Sequence, residues 1–222
     1  KDAYGNSSTD AGGECLARIE ARRGARLVTT VRTFIAIELD QELKAGLGLV
    51  QERIRERVSP GSVRWVRPEA IHLTLKFLGD TPVERVDEVS AALAQAAAEV
   101  QPFDIAVGGL GCFPNARRPR VVWIGLQEPT GALARLRDCI ETHVAPLGFP
   151  TEKRPFRPHL TLGRVQRYAS KSEVREIGEV VSTSTFGKMG EIAVSGVSYI
   201  KSDLLPSGAV YTTLSEAGLQ RG

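Results

Sequence analysis

The tetrapeptide His72-Leu73-Thr74-Leu75 recurs as His159-Leu160-Thr161-Leu162, and two of the chain's three histidines lie within it. Successive side chains of a β-strand point to opposite faces. Read as strands, both copies place the histidine and threonine on one face and the leucines on the other, toward a core. Each copy then presents one imidazole beside one hydroxyl. Two imidazoles can act as general base and general acid near neutral pH. Two hydroxyls can hydrogen-bond a phosphate held between them. That set of groups suits cleavage of a phosphodiester without a metal.

The rest of the pattern alternates short strands with amphipathic helices. A strand is expected over Thr33–Leu39, followed by a helix capped by Asp40 and running to about Val58, with Leu43, Leu47, Val50, Ile54 and Val58 on one face. Gly46 and Gly48 weaken it, and Ser59-Pro60-Gly61 ends it. Strands follow at Val63–Arg67 and Ile71–Leu78, the latter closed by Gly79-Asp80. Thr81-Pro82-Val83-Glu84 reads as a capping box that opens a helix carrying Val86, Val89, Leu93 and Val100. Phe103–Val107 and Arg120–Leu126 read as strands, with Gly108-Gly109-Leu110-Gly111 as a bulge or loop between them. Helices are expected near Thr130–Leu147 and Ser172–Val181, the second motif strand at His159–Val165, and strands at Glu191–Lys201 and Ala209–Leu214. Each motif follows one helix and precedes another. The expected class is therefore α+β and bilobed: two pseudo-symmetric lobes of antiparallel sheet with flanking helices and a central cleft.

Composition narrows the chemistry. A net charge of +3 on 222 residues excludes a polycationic nucleic-acid coat, while a small anion or one RNA end stays compatible. Cys15, Cys112 and Cys139 are odd in number, widely spaced and without a Cys-x-x-Cys, which argues for a reducing cytoplasm and against a disulfide framework or zinc site. No apolar run suits a membrane. No carboxylate–histidine cluster suggests a metal, and no cofactor is expected. Lys1–Thr30 lacks the apolar core of a signal peptide. It is expected to be disordered or a translated upstream extension with Val31 as the true start, the alternative being a real flexible tail, leaving residues 31–222 as one bilobed unit.

The motifs and their surroundings resemble the two-histidine phosphoesterase superfamily, marked by paired His-x-Thr/Ser-x motifs. Within it the chain is similar to the RNA 2′,3′-cyclic phosphodiesterases, formerly called 2′-5′ RNA ligases. The segments that carry the likeness are Arg32–Leu39, Trp65–Gly79, Arg120–Gly125, Arg154–Gly163 and Ser202–Tyr211. The resemblance implies a two-lobed fold with the His-x-Thr strands facing across a cleft. It also implies hydrolysis of an RNA 2′,3′-cyclic phosphate, or of a nucleoside 2′,3′-cyclic phosphate, to a 2′-phosphate without metal. His72 matches the proton donor, His159 the proton acceptor, and Thr74 and Thr161 the phosphate-binding hydroxyls. A monomer is expected.

Several further residues carry two readings each. Lys76 shares a face with His72 and Thr74 if alternation continues, either stabilising phosphate charge or standing in solvent. Arg157, two before His159, is a candidate phosphate contact. Phe156 either stacks a base or belongs to the core. Arg117, Arg118 and Arg120 form a basic loop that touches RNA backbone or is simply solvated. His143, without a threonine partner, reads as structural. The competing functions are 2′-5′ ligation or cleavage with the same atoms, a nucleotide- or RNA-binding module without turnover, and a metal hydrolase, which needs more ligands than two histidines.

Overall fold

Both motif copies are strands, and the chain builds an antiparallel sheet around each. The computed structural model describes residues 29–205 and 208–220. In chain order the elements are β1 (Thr30–Ile37), α1 (Gln41–Arg55), β2 (Val63–Trp65), β3 (Leu73–Pro82), α2 (Val86–Ala98), β4 (Phe103–Phe113), β5 (Val121–Gln127), α3 (Ala132–Val144), β6 (His159–Val165), α4 (Lys171–Thr183), β7 (Lys188–Val194), β8 (Gly196–Leu205) and β9 (Gly208–Gly218). One sheet has the order β3-β1-β8-β9, the other β2-β6-β5-β4-β7. No helix among the described residues is long and apolar enough to cross a membrane.

The two sheets exchange parts. β3, with the first motif, lies beside β1 but is completed by β8 and β9 from the far end of the chain. β6, with the second motif, is flanked by β2 and, through β5, by β4 from the first half. The helices cross over too: α2 and α3 pack together behind the first sheet, and α1 and α4 behind the second. One apolar core results. It runs from Ile35, Leu73 and Leu75 through Leu47, Leu93 and Leu136 to Ile124, Leu160 and Leu162. Removing this many aliphatic side chains from water, at roughly 25 cal/mol per Å², is the main driving force that seats both sheets on their helices.

Local chemistry explains most element ends. Asp40 caps α1, its Oδ1 accepting from Leu43 N at 2.7 Å. Ser170 and Glu173 form a reciprocal capping box on α4. The box expected at Thr81–Glu84 does not form. Pro82 ends β3, and Thr81 is fully buried with its Oγ1 2.8 Å from Thr33 Oγ1. Tertiary burial of the hydroxyl outcompetes its local capping role. The expected strand Glu191–Lys201 is two strands. β7 pairs with β4 and β8 with β1, so the chain changes sheets at Ser195.

β4 continues through the glycines to Phe113, with a register shift between Val107 and Leu110 and Gly109 at φ +78. Only glycine enters that left-handed region without strain. At the N-terminal boundary, Thr30 pairs with Pro82 and Thr29 O accepts from Val83 N at 3.0 Å, so these two residues already belong to the fold. The tail expected before them lies outside the described residues.

Candidate active site

The two motifs share one geometry. Leu73, Leu75, Leu160 and Leu162 are all buried in the common core. His72, Thr74, His159 and Thr161 are half-buried on the opposite sheet faces. The alternation of a pleated strand dictates this split. β3 and β6 also approach each other directly, although they belong to different sheets. The two faces are neighbours: the charge of Arg164 on β6 reaches both His159 and Tyr211, and Tyr211 packs on His72.

Each imidazole is fixed in the same way. His72 Nδ1 lies 3.0 Å from Ala70 O, and His159 Nδ1 lies 2.7 Å from Arg157 O. In both copies the acceptor is the carbonyl two residues earlier. A carbonyl can only accept, so Nδ1 carries the hydrogen and Nε2 is left for chemistry. Each ring also has aromatic walls. Phe34 stacks on His72 at 4.6 Å between centroids, and Tyr211 meets it edge-on at 5.1 Å. Phe113 meets His159 edge-on at 4.9 Å, with Trp123 at 6.4 Å. Phe34 and Trp123 sit on the strands adjacent to the two motifs, β1 and β5. Gly111 makes the second wall possible, because a Cβ there would lie 2.2 Å from the Trp123 ring.

Burial sets the electrostatics. It pushes His72 from 6.5 down to about 4, outweighing the Ala70 hydrogen bond, and the charge of Lys44 adds to the lowering. Burial also lowers His159, assisted by Arg164. Tyr211 is raised, again first by burial, with Arg164, Arg32 and Arg67 pulling the other way. Arg164 thus acts on a residue from each half of the site. Both imidazoles are thus held toward the neutral form, His72 strongly so. A proton-donor role for His72 therefore needs negative charge beside it, which a bound phosphate supplies.

Both motifs end in the same irregularity. Ala36 pairs with Thr74 and Ile35 with Lys76, so Leu75 is an extra residue. Trp123 pairs with Thr161 and Val122 with Gly163, so Leu162 is its counterpart. A bulge of this kind shifts the alternation by one residue. The shift re-aims the residues after each motif. Lys76 faces neither the phosphate nor solvent; it is 5% exposed and bound to Glu141 on α3. The residues returned to the cleft side are Phe77, 65% exposed beside Phe34, and the exposed Arg164. Sequence reasoning missed Arg164 because simple alternation points it away. The hidden signal is that Phe77 and Arg164 stand at the same offset from their histidines.

The remaining candidates separate. Arg157 is exposed and contributes its carbonyl to His159. Phe156 is half-buried against the core, with the Arg137 guanidinium 5.8 Å from its ring centre, which favours the packing reading over base stacking. His143 Nε2 lies 2.6 Å from Glu99 Oε1, joining α3 to the end of α2. Arg117, Arg118 and Arg120 are exposed on the β4–β5 turn. Among the described residues, no three His, Cys, Asp or Glu side chains come together as a metal site.

Two His-x-Thr strands, locked alike and opening on one cleft, define a two-histidine phosphoesterase. The sequence pattern of the LigT-like phosphoesterases matches residues 37–123 and again 124–211, one motif in each stretch, and the chain belongs to that family. It is 33% identical over 185 residues to the RNA 2′,3′-cyclic phosphodiesterase of Methanothermobacter thermautotrophicus, covering 83% of this chain and 96% of that one. The protein of the same name from Archaeoglobus fulgidus is 35% identical over 184 residues, covering 83% and 98%. Among solved structures, a Thermus thermophilus protein superposes with a TM-score of 0.70 at 30% identity, covering 85% of this chain and 97% of that one. E. coli LigT in complex with 3′-AMP shares the fold, with a TM-score of 0.66 at 24% identity over 86% and 99%.

Proposed function

We propose that this protein hydrolyses the 2′,3′-cyclic phosphate at an RNA end, or of a nucleoside 2′,3′-cyclic phosphate, to a 2′-phosphomonoester. The observation that carries this reading is the matched pair of imidazoles. Each is held by Nδ1 to its own backbone, with a threonine hydroxyl two residues on. The relatives named RNA 2′,3′-cyclic phosphodiesterase support the substrate class.

His159 Nε2 takes a proton from water as the water oxygen attacks phosphorus. The phosphorus–3′-oxygen bond breaks in line, and His72 Nε2–H gives its proton to the leaving oxygen. The assignment of donor and acceptor, and of the 3′ oxygen as leaving group, rests on family resemblance. Thr74 and Thr161 hold the phosphate oxygens between them, and Arg164 adds positive charge. Arg157, exposed and two residues before His159, is our candidate for a further contact to the same anion. Two titrating groups in this arrangement favour turnover over binding alone.

The reaction moves protons only between imidazoles, water and substrate. It should run in a monomer, and we place it in the cytoplasm, where the free Cys112 and Cys139 stay reduced. The test is incubation with adenosine 2′,3′-cyclic phosphate in excess chelator, with the product resolved against 2′- and 3′-AMP standards. A 2′-phosphate is expected. A 3′-phosphate overturns the bond assignment, and loss of activity restored by a divalent ion overturns the metal-free mechanism.

A further inference from the structure

Behind each motif strand lies a buried polar group that the proposed chemistry does not use. On α1 it is Gln51, 2% exposed among Leu47, Val50 and Ile54. On α3 it is Glu141, 4% exposed among Leu136, Ile140 and Val144. The two helices follow the two aromatic-bearing strands, β1 and β5. Their inward faces correspond: Val50-Gln51 with Ile54 on one, Ile140-Glu141 with Val144 on the other. Polar side chains are costly at such positions unless fully bonded.

The bonds they make correspond as well. Gln51 Nε2 donates to Leu162 O, the last residue of the second motif, at 2.8 Å, and to Val66 O at 2.7 Å. Val66 lies on the stretch that leads into His72. Glu141 Oε2 accepts from Lys76 Nζ, the residue just after the first motif, at 2.6 Å. Lys76 also donates to Pro150 O, and Glu152 N lies 3.4 Å from Glu141 Oε2. Residues 150–152 lie on the stretch that leads into His159. Arg137 reinforces that stretch, pairing with Glu141 at 3.2 Å and donating to Glu152 O at 3.2 Å. Each helix therefore ties one motif strand to the approach of the other motif.

We propose that Gln51 and the Lys76–Glu141 pair are reciprocal positioning residues that set the separation of the two imidazoles. In-line transfer needs one imidazole on each side of phosphorus, so an error in that separation acts most on the chemical step, and less on phosphate binding, since the threonine hydroxyls move with the strands but can rotate to follow the anion. The inference rests on the two-histidine reading above.

The test uses the full chain with a nucleoside 2′,3′-cyclic phosphate. Gln51→Met and the double variant Lys76→Met/Glu141→Leu each replace the polar group by an apolar one of similar size. Replacement of a buried ion pair is often neutral for stability, so the double variant should melt near wild type, whereas Gln51→Met leaves the Val66 carbonyl without this donor and should melt a few degrees lower while staying folded. kcat should fall roughly 10- to 100-fold, the usual scale for misplacement of about an ångström, while KM changes about twofold at most. Arg137→Met, at the outer end of the same network, should lower kcat severalfold and keeps the proposal testable if the double variant does not fold. Ile140→Val, which loosens the same helix face without touching these bonds, should keep wild-type kcat.

Wild-type kcat in folded Gln51→Met and in the folded double variant, or in Arg137→Met should the double not fold, overturns the clamp. An equal loss of kcat in Ile140→Val overturns it as well. A wild-type protein that turns over no cyclic phosphate overturns the function itself, which separates the two failures.

Discussion

Phe34 lies 4.6 Å from His72 in a stack only 25° from parallel, and that contact strips water from one face of the imidazole. Burial holds the ring at about 4 against an ordinary 6.5. The folded state thus binds this proton less well than the unfolded chain. The associated stability is complete above pH 6.5 and is lost as pH falls from 6.5 toward 4. It amounts to about 3 kcal/mol for a shift of this size. His72→Gln should flatten the fall in melting temperature between pH 7 and 4 relative to wild type. Parallel curves for the two proteins would count against a buried, neutral His72.

Occupancy of the cleft should reverse that depression. A phosphate beside both Nε2 atoms favours the imidazolium form. Proton NMR titration of the ring resonances with saturating inorganic phosphate should move His72 upward from about 4. The rate on substrate should be bell-shaped in pH, since one imidazole must begin neutral and the other protonated. A His72 titration indifferent to phosphate would place the anion elsewhere.

Removing either imidazole tests the chemistry most directly. His72→Ala and His159→Ala should each lower kcat by about two to four orders of magnitude, the usual worth of positioned acid–base catalysis. Both rings sit outside the main core, so the variants should fold. Circular dichroism checks the fold and single-turnover kinetics check the loss. A variant with near-normal turnover would remove its histidine from the mechanism.

The motif strands were legible because a two-residue period needs only local information. His159–Val165 and the core faces of α1 and α3 follow from spacing alone. The bulges at Leu75 and Leu162 were not legible. A bulge is set by pairing with β1 and β5, so its effect on Lys76 and Arg164 appears only when the sheets are assembled. The division of 188–205 into β7 and β8 was hidden for a similar reason: one apolar run serves two sheets. The aromatic walls of the site come from β1, β4, β5 and β9, whose contacts no local pattern joins to a histidine.

Gly111 should tolerate little. A Cβ there would fall 2.2 Å from Trp123, a ring that borders His159 and packs on Phe113 at 5.0 Å. Gly111→Ala must push the indole aside or strain β4, at a cost of about 1–3 kcal/mol. Since the displaced ring walls His159, activity should fall along with stability. Tryptophan fluorescence, melting temperature and kcat measured together would show this, and an unchanged set would mean that Trp123 has another resting place.

The basic turn offers a way to tell a nucleotide enzyme from an RNA-end enzyme. Phe113 packs on His159, and the chain runs directly from it into the turn that carries Arg117, Arg118 and Arg120. The turn is held by Asn115 Oδ1, which accepts from Arg117 N at 3.0 Å and Arg118 N at 3.1 Å, so its cations are presented from a fixed backbone. A mononucleotide offers these arginines no further phosphates, whereas an oligonucleotide does. Phosphate contacts of this kind weaken steeply with salt because they release counterions. Replacing all three arginines by alanine should leave kcat/KM for a nucleoside 2′,3′-cyclic phosphate within about twofold. For an oligonucleotide with a cyclic-phosphate end it should lower kcat/KM by roughly tenfold or more and reduce the salt slope by up to about 2, at roughly 0.7 per contact on a single strand. Equal effects on both substrates would mean the turn acts on the catalytic centre; no effect on either would leave the RNA strand a different path off the cleft.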